Sequence, residues 1–120
     1  MGSCAADSYQ TLVAANNYAT SLIALQSFKE AKSLMRKTIP VALRVLNDGD
    51  DLTLMMRSNY AEALYKADDA TLDDLREAVN TLEETERTAR RVLGGAHPTT
   101  LNIEDELQDA RDALHARGLP

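Results

Sequence analysis

Few side chains in this 120-residue chain could do covalent or acid–base chemistry. Cys4 is the only thiol, and His97 and His115 are the only imidazoles. Nucleophilic catalysis needs a nucleophile beside a base that a third group orients. Here the thiol falls near the N-terminus, His97 at a helix start and His115 near the chain's end, so no catalytic residue is assigned. His97 reads as a turn residue and His115 as a surface one. A single cysteine permits no intramolecular disulfide and no thiol-rich zinc site, and it is consistent with a reducing compartment.

Three further clusters resemble ligand sites and read better as structure. Asp48-Gly49-Asp50-Asp51 has the carboxylates for calcium, but Leu52 and Leu54 fall where an EF-hand needs oxygen ligands. Helix capping by Asp50 or Asp51 is the expectation, and no metal site is assigned. Gly94-Gly95-Ala96-His97-Pro98-Thr99-Thr100 lacks the Gly-Lys-Ser/Thr ending of a phosphate loop and any preceding strand, and reads as a turn. Glu83, Glu84, Glu86, Arg87, Arg90 and Arg91 offer Glu83–Arg87 and Glu86–Arg90 pairs at four-residue spacing, as on a solvated helix face. Lys29, Lys32 and Arg36 form a small basic stripe that could meet an acidic partner, although a solvated face is the simpler reading. No cofactor is implied.

The elements that carry these residues are helical. Apolar residues make up 44% of the chain and aromatics 4%, so Leu, Ala, Val and Met fill the core. Long segments repeat apolar residues every three or four positions, with no strand-like alternation. The net charge of -6 argues against nucleic acid, whose phosphates require clustered Lys and Arg. No apolar run reaches the roughly 20 residues needed to span a bilayer, and the N-terminus lacks a signal-peptide pattern. A cytoplasmic protein is expected, with no membrane partner. Met1-Gly2-Ser3-Cys4 faintly resembles a lipidated terminus, but Ala6 stands where that pattern wants Ser or Thr.

The spacing predicts a disordered segment over residues 1–7 and a helical domain over residues 8–117. Its first helix runs from about Ser8 to Leu25 with Leu12, Ala15, Tyr18, Ala19, Leu22 and Leu25 on one face. The second runs from about Phe28 to Leu46, with Pro40 inside it expected to bend it, and stops at Asn47-Asp48-Gly49. The third spans about Asp51 to Ala67, carrying Leu54, Tyr60, Ala61 and Leu64. The fourth runs from Leu72 or Asp73 to Leu93 through Leu75, Ala78, Val79, Leu82, Ala89 and Val92, and ends where Gly94 permits a left-handed cap. The fifth starts near Pro98 and passes Leu101, Leu107, Ala110 and Leu114 before Gly118. Tyr18 and Tyr60 are expected to pack in the core.

Self-comparison orders these helices. Asn17-Tyr18-Ala19 recurs as Asn59-Tyr60-Ala61 at an offset of 42 residues. Downstream the offset is 47: Phe28-Lys29-Glu30-Ala31 matches Leu75-Arg76-Glu77-Ala78, and Arg44-Val45-Leu46 matches Arg91-Val92-Leu93. Residues 50–54 likewise match residues 97–101, the difference being an insertion around residues 68–72. Gln108 stands where Ala19 and Ala61 allow a close helix approach, which suggests a terminal capping helix.

The order Asn16-Asn17-Tyr18-Ala19, Phe28-Lys29-Glu30-Ala31, Arg91-Val92-Leu93-Gly94 and His97-Pro98-Thr99-Thr100-Leu101 resembles the tetratricopeptide repeats of the kinesin light chain type. That resemblance covers roughly residues 13–114. It implies an all-α fold of antiparallel helix pairs, stacked as a short right-handed solenoid of about five helices: two pairs plus the capping helix. The His97-Pro98 pair matches the family's own.

The resemblance further implies a non-enzymatic scaffold that docks a partner peptide or helix in a concave groove lined by the first helix of each pair. Carried across by position, the groove holds Asn16, Asn17 and Thr20, then Ser58, Asn59, Glu62, Tyr65 and Lys66, then Asn102, Asp105, Asp109 and Asp112. Asparagine amides there would hold a peptide backbone. The balance of Glu62, Asp105, Asp109 and Asp112 against Lys66 leads us to expect a basic peptide, unless the acids of the last helix simply face water. Two and a half repeats fall short of the three such stacks usually need. A self-associating module, or the end of a longer array, is therefore the alternative reading.

Overall fold

The computed structural model of the chain describes residues 4–118. Its five helices are α1 (Cys4–Ala24), α2 (Phe28–Val45), α3 (Asp51–Tyr65), α4 (Leu72–Val92) and α5 (Pro98–Gly118). There is no strand among the described residues. Helix α1 begins at Cys4, inside the segment expected to be disordered, because Ala5 and Ala6 continue a helix at little cost. Residues 1–3, where the lipidation pattern starts, lie outside the described residues.

Local chemistry sets each boundary. Asp50 caps α3, its Oδ1 accepting from the Leu52 amide at 2.9 Å. Thr71 and Asp74 form a reciprocal capping box at α4: Thr71 Oγ1 accepts from the Asp74 amide and Asp74 Oδ2 from the Thr71 amide, both at 3.0 Å. Those backbone and hydroxyl bonds hold the Asp74 carboxyl below the usual range. At α5, His97 Nδ1 accepts from the Thr99 amide at 3.1 Å. The imidazole is thus a structural cap, as expected.

Just beyond α4 the chain turns at Gly94, whose φ of 94° is the left-handed conformation that favours glycine. Its amide reaches back to the Ala89 carbonyl at 3.2 Å. Asn47, also at positive φ, closes the turn after α2 by accepting from the Gly49 amide through its side chain at 2.9 Å. Helix α2 runs unbroken through Pro40, which sits on its exposed side.

Each helix packs on its neighbours in sequence, and α3 also touches both α1 and α5. The molecule is correspondingly elongated, 57 × 31 × 20 Å. Burial follows the 42- and 47-residue offsets. Helix α3 is buried on two sides, one carrying Leu52, Thr53, Met56, Tyr60 and Ala63 and the other Leu54, Ser58, Ala61 and Leu64. In α5 only the equivalents of the first side are buried: Thr99, Thr100, Ile103, Leu107 and Ala110. In α1 only those of the second are buried: Leu12, Asn16, Ala19 and Leu22.

Four positions depart from the expected core, two of them for this reason and two because they end a helix. Tyr18, the counterpart of buried Tyr60, is 56% exposed because α1 packs only on α2 and α3. Leu101, the counterpart of buried Leu54, is 47% exposed because α5 packs only on α3 and α4. Leu25 leaves the apolar face at the end of α1, where Gln26 turns the chain at positive φ. Val92 is likewise exposed in the last residue of α4.

Candidate peptide-binding groove

The helices α1, α3 and α5 enclose a cleft of about 250 Å³. Five of the residues expected in the groove line it: Asn16 and Thr20 from α1, Ser58 and Asn59 from α3, and Asn102 from α5. Asn16 and Thr20 lie one turn apart on α1, and the contacts of α3 with both α1 and α5 bring all five to one cleft. Met55, Pro98, Thr99 and Ile103 complete the lining and were missed by the sequence reading. The signal was available, since Met55 lies one turn before Asn59 and Thr99 one turn before Asn102.

A hydrogen-bond chain ties α1 to α3 across this cleft. Asn59 Nδ2 donates to Asn16 Oδ1 at 2.8 Å and to Thr20 Oγ1 at 3.2 Å. The Thr20 hydroxyl in turn donates to the Asn16 carbonyl at 3.0 Å. Asn16 is buried, Asn59 half-buried and Asn102 exposed. Because an amide has two donor and two acceptor sites, this chain orients both buried-side amides while leaving capacity for a ligand. On α5, Thr99 Oγ1 donates to Asp51 Oδ1 at 2.6 Å and fixes the far rim.

A second depression of about 370 Å³ continues along α1 and α3 and takes in Thr20, Asn59, Glu62 and Lys66. Lys66 Nζ donates to Glu62 Oε2 at 2.5 Å, so these two opposite charges largely satisfy each other. Tyr65 is buried and its hydroxyl donates to Glu106 Oε1, which joins α3 to α5. Burial pushes the Tyr65 hydroxyl up, and the bond to Glu106 reinforces the shift. Burial also raises the Glu106 carboxyl, with Glu62 and Asp109 adding to the rise while the Tyr65 bond and Lys66 oppose it.

The remaining expected residues are not gathered into this groove. Asn17 is exposed and lines neither depression. Asp105, Asp109 and Asp112 are exposed on α5, and Asp112 Oδ1 accepts from Gln108 Nε2 at 2.9 Å. The 250 Å³ cleft therefore has no charged lining residue. Its lining is made of amides and hydroxyls beside Met55 and Ile103. Among the described residues no group of His, Cys, Asp and Glu could hold a metal ion, and no helix is long and apolar enough to cross a membrane.

Two ion pairs also differ from expectation. Arg90 pairs with Glu86 as its spacing predicts, and additionally with Glu104 of α5. Glu83 pairs at 3.0 Å with Arg111 of α5 in place of Arg87, because packing of α5 on α4 supplies the closer guanidinium. Comparison of the chain with protein-family models, curated proteins and solved structures finds no match, so the groove's own residues carry the functional reading.

Proposed function

We propose that this chain is a non-enzymatic protein-binding scaffold built of tetratricopeptide-like helix pairs, and that it docks an extended peptide between α1, α3 and α5. The observation that carries the reading is the Asn59–Asn16–Thr20 hydrogen-bond chain, which faces Asn102 across one cleft. Preoriented amides bind a peptide's N–H and C=O groups without reorganising. The acids of α5 stand outside the cleft, where they favour basic flanking residues through association rate and specificity.

The alternative is a module whose outer helices pair between chains. The positions of α5 that would face a further helix, the counterparts of Leu54, Ser58, Ala61 and Leu64, are Leu101, Asp105, Gln108 and Arg111, all exposed and all polar but Leu101. A stacked interface would have to desolvate the polar ones, which favours the adaptor reading. Sedimentation over a wide concentration range separates the two, since an assembly module gains mass with concentration and an adaptor does not.

The direct test titrates labelled Lys/Arg-rich and Asp/Glu-rich peptides of equal length into wild type and an Asn59→Ala, Asn102→Ala variant. The basic peptide is expected to bind saturably and more tightly, and the double variant to lose about tenfold. That is the loss of two hydrogen bonds of roughly 0.5 to 1.5 kcal/mol each. Asn102→Ala alone, at an exposed position, provides the same comparison should the double variant unfold. Equal binding of both peptides, or full affinity in a folded variant, would refute the reading.

A further inference from the structure

A second cleft, of about 250 Å³, lies where α2 and α4 flank α3. Arg36, Ile39, Pro40 and Leu43 of α2 form one wall, and Arg57 and Tyr60 of α3 form the floor. Arg57 lies two residues from Asn59, about 200° around the helix at 3.6 residues per turn, so this cleft opens on the other side of α3.

The two guanidiniums are held and only partly used. Arg36 Nε donates to the Tyr60 hydroxyl at 3.2 Å, and that hydroxyl donates to Glu77 Oε2 at 2.5 Å. The Arg36 guanidinium also sits 5.8 Å from the Tyr60 ring centre. These contacts fix the plane of the guanidinium through Nε and the ring, and leave its two terminal nitrogens as donors. Arg57 spends one terminal nitrogen on Glu84 at 3.0 Å, a carboxylate whose side chain is 62% exposed and which an incoming anion can displace.

Beside them stands an aliphatic surface in which Leu43 is 41% exposed and Pro40 is exposed. On the α4 side Glu77 and Glu84 border the cleft, whereas α2 is basic, with Lys29, Lys32, Arg36, Lys37 and Arg44 against Glu30 alone. Five of the chain's 13 Lys and Arg but only two of its 19 Asp and Glu precede Asn47. Lys29, Lys32, Lys37 and Arg44 therefore extend the positive field along α2, on a molecule that is otherwise acidic.

We infer that this cleft is a second docking site, for a partner peptide in which carboxylates alternate with leucine-type side chains. A carboxylate matches the fork of a guanidinium, Arg36 and Arg57 would engage two of them, and the aliphatic side chain would cover Ile39, Pro40 and Leu43. The site is independent of the asparagine cleft and of what binds there.

The test measures anisotropy of three labelled decapeptides: alternating Leu and Glu, alternating Leu and Lys, and alternating Ser and Glu. The Leu–Glu peptide is expected to bind saturably, at least tenfold more tightly than either of the others. An Arg36→Gln, Arg57→Gln variant is expected to lose at least tenfold, and Leu43→Ser several-fold. Asn59→Ala is expected to bind it as wild type does. On unmutated protein, amide NMR shifts should move in residues 36–43 and at Arg57 and Tyr60. Absence of saturable binding, equal affinity for the Leu–Lys or Ser–Glu peptide, full affinity in the arginine variant, or shifts centred on Asn16 and Asn59 would each overturn the inference.

Discussion

Thr53 and Thr100 occupy equivalent positions at the 47-residue offset, both are fully buried, and neither hydroxyl has a hydrogen-bond partner. A buried hydroxyl without a partner costs about 1 to 3 kcal/mol of desolvation, so Thr53→Val should raise stability by about 1 kcal/mol. Thr85 is equally buried but donates to the Thr81 carbonyl at 2.6 Å, so Thr85→Val should bring no such gain. Urea midpoints of the two variants test the contrast, and a rise in the second equal to that in the first contradicts it. Glu106 supports a pH prediction on the same scale. Its carboxyl is raised in the folded state, chiefly by burial, so the folded protein holds that proton more tightly than the unfolded chain. The resulting stability is fully present below the unfolded carboxyl's range and is lost as pH rises through the folded value. Glu106→Gln keeps an acceptor for the Tyr65 hydroxyl and removes the titration. Its stability relative to wild type should therefore be greater at pH 7 than at pH 4.5, and a difference that stays flat or shrinks with pH excludes the role assigned to Glu106.

At the scale of elements, the sequence was legible wherever a local interaction decides the outcome. Asp50, Thr71, His97 and Gly94 bound helices through bonds within a few residues, and α2 to α5 begin and end within about two residues of the expected places. Apolar spacing could not show which of a helix's faces meets a neighbour. Tyr18 and Tyr60 are the same residue at the same repeat position. Only Tyr60 lies in the core, where it joins Arg36 of α2 to Glu77 of α4. The groove was half legible for a related reason. Asn16, Asn59 and Asn102 line one cleft because α3 touches both α1 and α5, whereas Asp105, Asp109 and Asp112 take sides of α5 that no helix covers. The Arg36–Arg57 cleft joins residues 21 apart on two helices, and single-helix periodicity carries no sign of it.

At the scale of the whole molecule, the same repeat position has a different energetic weight according to where its helix stands. Ala19 and Ala61 are fully buried, while their counterpart Gln108 is exposed on a helix with neighbours on one side only. Where helices pack chiefly on their neighbours in sequence, a substitution acts through the interface it sits in. Ala61→Leu forces three methylene-sized groups between α3 and its neighbours and should cost roughly 1 to 3 kcal/mol. Ala19→Leu should fall in the same range, with α1 displaced from α2 and α3. Gln108→Leu enlarges nothing that is packed and should stay within about 0.5 kcal/mol of wild type. Chemical denaturation of the three variants measures the pattern. If Gln108→Leu costs as much as Ala61→Leu, the last helix has a covered outer face and is not a cap; if neither alanine variant is destabilised, the 42- and 47-residue alignment of the helices is wrong.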